Sequence, residues 1–528
     1  MPKITFREFS GRIPKYEDRN LPEKNATVAD NTDLRTASIK PLKAPGLVGT
    51  SSTNNTQAIH RTRSNKWVYF DRPTDIVDSV VGDDPYNRLF YVDHNSPIRA
   101  VRTNYISNGT TNGSVLLGVP APGSPTTVTV QGSPEEGATL ESRAYVTTLV
   151  NGFGEEGPPS DPSPVVDVGP NQTVQVNLPN TAGLTSGYDI SLVNIYRSSG
   201  GPYLFVSAVE SSQSSFNDTV SNVGLGEPMP SVDWEKPPAV ISGLVSVTGG
   251  FLGAWRGNQV LFSEFGLPHA WPQQYRQSVE WDIVGCGTAG NSVVVCTKGS
   301  PYIAQGAVPE AMQLQKIESD QSCVSRESIV SMRGGVVYAS PEGLMRVSPN
   351  GAELITQQVF TEEQWQELYP SNMRGLLWER LYVCLYPGGA FGINPDNPSE
   401  GIVNLTFINN QYTASFNDLS VGDLYVAKGN QIFKWDSGDE ASFTWKSKRA
   451  QLPAPDVIKY VQVTADFYPI TVEVENGDGD STSIDVQSED PVKVPALGLS
   501  RSYYFSVSGT GRVVSMSAST TMQAMRLM

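Results

Sequence analysis

Apolar residues in this chain come in bursts of four or five, and one burst is often followed by a tight turn and a second burst. The unit appears at Val293-Val-Val-Cys-Thr-Lys-Gly-Ser-Pro-Tyr-Ile-Ala304 and at Val336-Val-Tyr-Ala-Ser-Pro-Glu-Gly-Leu-Met-Arg-Val347. It recurs at Leu381-Tyr-Val-Cys-Leu-Tyr-Pro-Gly-Gly-Ala390 and at Leu424-Tyr-Val-Ala-Lys-Gly-Asn-Gln-Ile-Phe-Lys-Trp435. Short runs rich in Val, Leu and Tyr and bounded by turn formers predict strands, and two in succession predict a hairpin. The turns fall near residues 299, 342, 388 and 429, about 41 to 46 apart, which is the spacing of one four-stranded propeller blade. Residues 240 to 440 supply about four and a half such units at roughly 44 residues each. Leu89-Phe-Tyr-Val-Asp-His-Asn-Ser-Pro-Ile-Arg-Ala100 is the same element further upstream, and the stretch before residue 120 has room for one or two more. The pattern predicts an all-β fold containing a β-propeller of about six blades. Hairpins at irregular intervals in some other all-β fold are the alternative that spacing alone leaves open.

The propeller pattern is interrupted. Between residues 122 and 232 the runs Thr126 to Val130, Ala144 to Val150, Val174 to Leu178, Ile190 to Tyr196 and Tyr203 to Val209 alternate with turn clusters, as in a β-sandwich of about a hundred residues. Tyr145 to Ser160 is similar to the late strand and loop of a fibronectin type III domain, but it stands near the start of the segment. An immunoglobulin- or fibronectin-like sandwich inserted into the propeller is therefore expected, without homology to fibronectin. This gives a first propeller segment at 76–121, the inserted, platform-like sandwich at 122–232, the main propeller segment at 233–440 and a C-terminal β-region at 441–528. Residues 1–75 have little periodicity, and Gly11-Arg-Ile-Pro14 and Leu21-Pro22 predict an extended arm that orders on assembly. One helix is predicted, because Thr361-Glu-Glu-Gln364 has the form of a capping box and Trp365, Leu368 and Tyr369 share one face before Pro370.

Composition narrows the function classes. The 528 residues carry 38 Lys and Arg against 54 Asp and Glu, a formal charge of −16. Nucleic-acid grip through phosphates requires clustered cations, and the densest basic stretches, Lys446 to Arg449 and His60 to Lys66, are short. Nine Trp and 21 Tyr argue against disorder. Cys286, Cys296, Cys323 and Cys384 have no CxxC spacing and no nearby histidine, so they are expected to be small buried residues, neither zinc ligands nor a disulfide framework. The first residues contain no hydrophobic leader and no run approaches 18 apolar residues, so synthesis in a cytoplasm is expected.

Each catalytic pattern fails at a named residue. Gly152-Phe-Gly154-Glu-Glu-Gly157 matches GxGxxG, but two carboxylates inside the loop repel phosphate and Pro158-Pro159 prevent a helix from starting. Asn476-Gly-Asp478-Gly-Asp480 alternates oxygen ligands like a calcium loop, yet Ser481 and Gln487 occupy the places of the loop's Gly and final Glu, and a hairpin turn is the simpler expectation. Asn394 to Glu400 is a polar loop, and Gly388 to Gly401 is long enough to act as a gate. The three histidines, His60, His94 and His269, belong to no HExxH or GxSxG motif. Paired carboxylates could serve a glycosidase, but Ser437-Gly-Asp-Glu440 before Thr444-Trp445 only loosely echoes a sialidase box. No catalytic, cofactor-binding or metal residue is assigned, and the chain is not expected to be an enzyme.

Four collinear segments carry a family resemblance. They are Pro14 to Pro22 with Ala29 to Leu34, Leu261 to Pro272, Ser300 to Gly306 running on to Cys323-Val-Ser325, and Ala339 to Met345 leading to Gln364-Trp365. Together they resemble the tail nozzle proteins (tail tubular protein B) of short-tailed bacteriophages. The resemblance implies a structural virion protein: a homohexameric tube below the portal and adaptor rings that holds DNA in and conducts it during ejection. Implied partners are other copies of the chain, the tail adaptor protein, tail fibres or tip proteins, and viral genomic DNA passing without specific binding. The host cell envelope is met indirectly. Six copies would carry a formal charge of about −96, and an acidic lumen repels phosphates where a basic one would hold them. The sandwich and the N-terminal arm are the candidates for contacts between subunits. A receptor-binding or glycan-binding propeller of the tail is the competing expectation.

Overall fold

The computed structural model describes residues 3–408 and 411–526. Five four-stranded antiparallel meanders pair their strands in sequence order: four are separate sheets, and the fifth ends a larger eleven-stranded sheet. The first blade comprises Thr74–Asp78, Arg88–Asp93, Arg99–Arg102 and Val115–Leu116. The second begins at Gly243–Val247, the third at Ile283–Ala289, the fourth at Val330–Met332 and the fifth at Arg374–Trp378. The sixth blade takes Ala414–Asp418, Asp423–Lys428 and Gln431–Lys434, and borrows its outer strand, Gly46–Thr50, from the other end of the chain. The chain is all-β, and its helices are single turns.

The apolar bursts are continuous and do not alternate with polar residues because each second strand is buried on both faces. Val293 and Val295 pack toward the second blade, while Val294 and Cys296 pack toward the fourth. Val336 and Tyr338 face the third blade, and Val337 and Ala339 face the fifth. The same alternation sends Tyr382 and Cys384 one way and Val383 and Leu385 the other. A strand flanked by apolar sheets on both sides needs apolar residues at every position. Three of the four cysteines are fully buried in or beside these faces and all four are free. Burial pushes the thiols of Cys286, Cys296 and Cys384 up.

The ring is closed by an additional hairpin, Ala58–Arg61 with Trp67–Phe70. Ile59, Trp67 and Tyr69 pack on the sixth blade, whereas Ala58, Val68 and Phe70 pack on the first. The hairpin is thus a seventh, two-stranded sector, extended outward by a bond from Tyr69 N–H to the Gly109 carbonyl at 3.0 Å.

The expected N-terminal arm is not one. Lys3–Phe6 pairs antiparallel with Val513–Ser519, and Asn25–Asp30 pairs with Phe443–Ser447. These residues, Gly46–Thr50 and the closing hairpin all belong to the folded body. The segment looks aperiodic in sequence because its strands are short and several of them, Lys3–Phe6, Asn25–Asp30 and Gly46–Thr50, have partners hundreds of residues away. With residues from 443 onward it forms a second sandwich, in which Phe6, Phe9, Trp445, Tyr503 and Phe505 share one core. The Trp445 indole sits edge-on to Phe9 at 4.9 Å and to Phe6 at 5.6 Å, and its Nε1–H donates to the Ser10 carbonyl. One sheet of this module runs on into the fifth blade, through Arg12 opposite Ile402.

The inserted sandwich stands between the outer strand of the first blade and the inner strand of the second. Its sheets are Thr127–Gln131, Thr173–Asn177, Ser215–Asp218 and Val166–Val168, Glu141–Asn151, Ile190–Ser198, Leu204–Glu210. Within it, a fully buried Arg197 pairs with Asp218 at 2.6 Å, and Asp218 also accepts from the Tyr145 hydroxyl at 2.8 Å. The helix Glu362–Gln366 has the expected capping box, with Thr361 and Gln364 bonded reciprocally.

Truncating Trp445 removes the ring on which Phe6 and Phe9 rest. Trp445→Ala is expected to destabilise the C-terminal sandwich by about 3–5 kcal/mol and to open cleavage at Arg7 and Arg12 in limited trypsin digestion. Unchanged protection of those bonds would show that the N-terminal strands are held by other contacts.

Candidate functional site

The inner strands converge on an axial cavity of about 390 Å³. Polar residues reach it from several sectors: His60 from the closing hairpin, Asp75 and His94 from the first blade, and Arg326, Glu327 and Arg374 from the turns and strand between the third and fifth blades. Several are paired with one another, while the buried His60 Nε2 has no hydrogen-bond partner among the described residues. Arg326 donates to Asp75 at 2.8 Å and to the Ser242 carbonyl at 2.8 Å. Asp75 also accepts from Leu244 N–H at 2.9 Å, with His94 Nε2 at 3.7 Å. Arg374 lies 2.9 Å from Glu327, and His60 Nε2 lies 3.3 Å from Asp78. The Trp255 ring stacks beneath the Arg326 guanidinium at 5.1 Å. It lies across Gly243, where any side chain would collide with both the indole and Asp75.

This arrangement suits cross-bracing more than proton transfer. Asp75 and Glu327 are each paired with an arginine, Arg326 and Arg374. No group of three or more His, Cys, Asp or Glu suited to a metal ion occurs among the described residues. At one mouth of the axis a wider cavity of about 910 Å³ is bordered by Arg61, Asp78, Val80, Asp418, Leu419 and Val421, and Leu419 is 83% exposed.

The GxGxxG segment has a structural role. Its turn brings Glu155 into the seam between the inserted sandwich and the propeller, where the carboxylate meets Arg88, itself bonded to Asp84 at 2.9 Å. His269 Nδ1, from the stretch after the second blade's third strand, lies 3.5 Å from the same carboxylate, and Trp234 is edge-on to the imidazole at 5.5 Å. Arg88 and Arg102 both stack on Phe153 at 4.8 Å. Burial alone would raise the Glu155 carboxyl; the His269 imidazole and then the Arg88 guanidinium outweigh it and hold the group at about 2.

The Asn476 to Asp480 segment is a hairpin turn, with Asn476 Oδ1 accepting from Asp478 N–H at 3.0 Å and Asp480 N–H at 2.9 Å. The stretch from Gly388 to Gly401 is shorter as a loop than expected, because Gly389–Ile393 is a blade strand. Its remaining turn carries a surface ion pair, Asp396 with Arg346 at 2.7 Å. Trp445, part of the loose sialidase echo, lies in the C-terminal core. The axial residues escape sequence reasoning because Asp75 and Arg326 are 251 positions apart.

Glu155 generates a pH prediction. Its folded value lies below the ordinary 4.5, so its stabilising contribution is complete above about 4.5 and disappears as pH falls toward 2. Glu155→Gln is expected to cost about 3–5 kcal/mol at neutral pH, as breaking a buried ionic pair does, and to flatten the acid limb of a stability-versus-pH curve. An unchanged acid limb would remove Glu155 as its source.

No family model and no curated protein matches the chain. Among solved structures it is similar to the AfRom2 CNH domain, at 10% identity and TM-score 0.24 over 69% of this chain and 100% of that one. It is also similar to a gluconolactonase of Xanthomonas campestris, at 8% identity and TM-score 0.22 over 78% and 97%. A third is PorZ, a surface component of the type-IX secretion system of Porphyromonas gingivalis, at 11% identity and TM-score 0.26 over 90% and 71%. Similarity this distant carries no argument about function.

Proposed function

We propose that the chain is a structural subunit of a virion tail, of the nozzle type, assembling as a homohexameric tube that retains DNA and conducts it during ejection. The observation that carries this reading is where the nozzle-like segments meet. Gln364 Nε2–H donates to the Pro14 carbonyl at 3.0 Å, and Lys15 N–H donates to Val359 at 2.9 Å. Trp365 Nε1–H donates to Ser340 at 2.9 Å, and His269 abuts Glu155 at the sandwich seam. Segments distant in sequence but collinear with the family thus hold modules and blades to one another. The resemblance concerns how the parts are joined, which is what a load-bearing ring component has to preserve.

On this reading the DNA path runs between subunits. An axial cavity of about 390 Å³ filled with arginine–carboxylate braces has no room for a duplex whose major groove alone is about 12 Å wide. A conduit therefore requires several copies around a common axis, and a net charge of −16 per copy disfavours phosphate adhesion within it. The N-terminal strands are committed to the fold, and on this reading the exposed faces of the two sandwiches meet neighbours and the adaptor.

Native mass spectrometry and particle imaging of the purified chain are expected to give a sixfold ring with an open lumen. Duplex DNA should show no salt-sensitive retention on it. A trimer that binds glycans on an array would overturn the nozzle reading in favour of a receptor-binding protein.

A further inference from the structure

The C-terminal sandwich divides its charge unevenly. On one side a groove of about 850 Å³ is lined by residues 4–8, the turn 19–24 and residues 448–451. It gathers Arg7, Arg19, Lys24, Lys448 and Arg449 in a chain that is otherwise strongly acidic. Among the described residues, Arg7, Lys24, Lys448 and Arg449 have no carboxylate within 4 Å, and the nearest to Arg19 is Glu17 at 3.8 Å. Lys448 is held by the Leu21 carbonyl and Arg449 by the Ser502 hydroxyl, and the buried Arg449 Nε–H has no acceptor. Glu8 and Glu23 also line the groove, which leaves an excess of cations.

The opposite edge of the module has the converse character. Residues 467 to 492 contain seven carboxylates and no Lys or Arg. Most of them lie on the hairpin Ile470–Asn476 and Ser481–Val486, which ends the large sheet, and on the loop that follows. Asp485 accepts from Thr471 and Glu489 from Thr464, both hydroxyl donors. Among the described residues only Glu475 in this stretch has a cation partner, Lys446. In the smaller sheet, Lys3–Phe6 forms one margin and Val492–Lys493 the other, about 14 Å away across three strand spacings.

We propose that the basic groove of one copy receives the acidic outer strand and loop, Ser481 to Asp490, of a second copy. The contact is head to tail: the two surfaces differ, and neither face of the module complements itself. Heterologous contacts of this kind repeat around a ring when the rotation closes. The inference rests on the ring reading above and names the surface by which neighbours join. Strongly acidic copies repel one another, so a locally unneutralised basic groove is the natural seat for a neighbour's carboxylates. The adjoining apolar positions, Ile4 and Ala450, add contact area that a purely electrostatic patch would lack.

The test is charge reversal with mixing, read by native mass spectrometry and light scattering of the full chain. Arg7→Glu with Lys24→Glu, and separately Asp485→Lys with Glu489→Lys and Asp490→Lys, are each expected to raise the concentration needed for assembly at least tenfold. Mixing the two variants should recover a contact between unlike copies, and added salt should weaken assembly of the native protein. Unaltered rings in both reversal variants would overturn the proposed contact while leaving the ring reading in place. A native chain that stays monomeric would overturn both. Salt-sensitive retention of duplex DNA that is lost in the Arg7/Lys24 variant, with assembly unchanged, would reassign the groove to phosphate and also overturn the proposal.

Discussion

The hairpin Ala58–Phe70 has two apolar faces and the propeller needs both. Trp67 lies edge-on to Tyr425 of the sixth blade at 4.9 Å, while Phe70 packs on Tyr91 of the first at 5.0 Å. Without this wedge, the sixth blade would present Tyr425, Ala427 and Ile432 to water, and the first Leu89, Tyr91 and Val101. The other blade faces are already paired with a neighbour, so the exposed surface could not be relieved locally. Closure of the ring is the constraint to which the rest answers. It explains why the sixth blade recruits Gly46–Thr50, and why the chain enters the propeller where it does.

The joints between modules use a different chemistry from the blade faces. Blades meet through dry apolar surfaces, which tolerate small rotations. The inserted sandwich is fixed by Glu155 between Arg88 and His269, and the axis by Asp75 between Arg326 and His94. The Glu155–Arg88 pair is buried, and a buried ionic contact is directional and loses much of its value when displaced; the half-buried Asp75 is fixed by hydrogen bonds from Arg326 and Leu244. Apolar packing therefore supplies the bulk of the cohesion, while a few charged clamps fix the orientation of one part against another.

The blade hairpins were legible in the sequence because burial on both faces turns alternation into an uninterrupted apolar run, as at Val293 to Cys296. The sandwich strands and the Thr361 capping box were legible for similarly local reasons. Closure was not. Gly46–Thr50 contains two large apolar residues, Leu47 and Val48, both exposed, and nothing near it in sequence indicates the partner Gln431–Lys434. The N-terminal strands resembled an arm because Phe6, Phe9, Ala26 and Ala29 find their core across more than 400 residues of chain. The clamps at the axis and the seam were equally hidden, since Glu155 reads as a flaw in a phosphate loop until Arg88 is set beside it.

The pairing of strands this far apart in sequence also orders events in time. Lys3–Phe6 is synthesised some 500 residues before its partner Val513–Ser519. At roughly 5–20 residues per second, the N-terminal strands wait about 25–100 s with open edges and exposed Phe6 and Phe9. The inserted sandwich and the second to fifth blades have their own strands close at hand and can form meanwhile. Translation thus imposes an interval in which a nearly complete particle carries one unpaired margin, and the cell must keep that margin from joining the wrong chain.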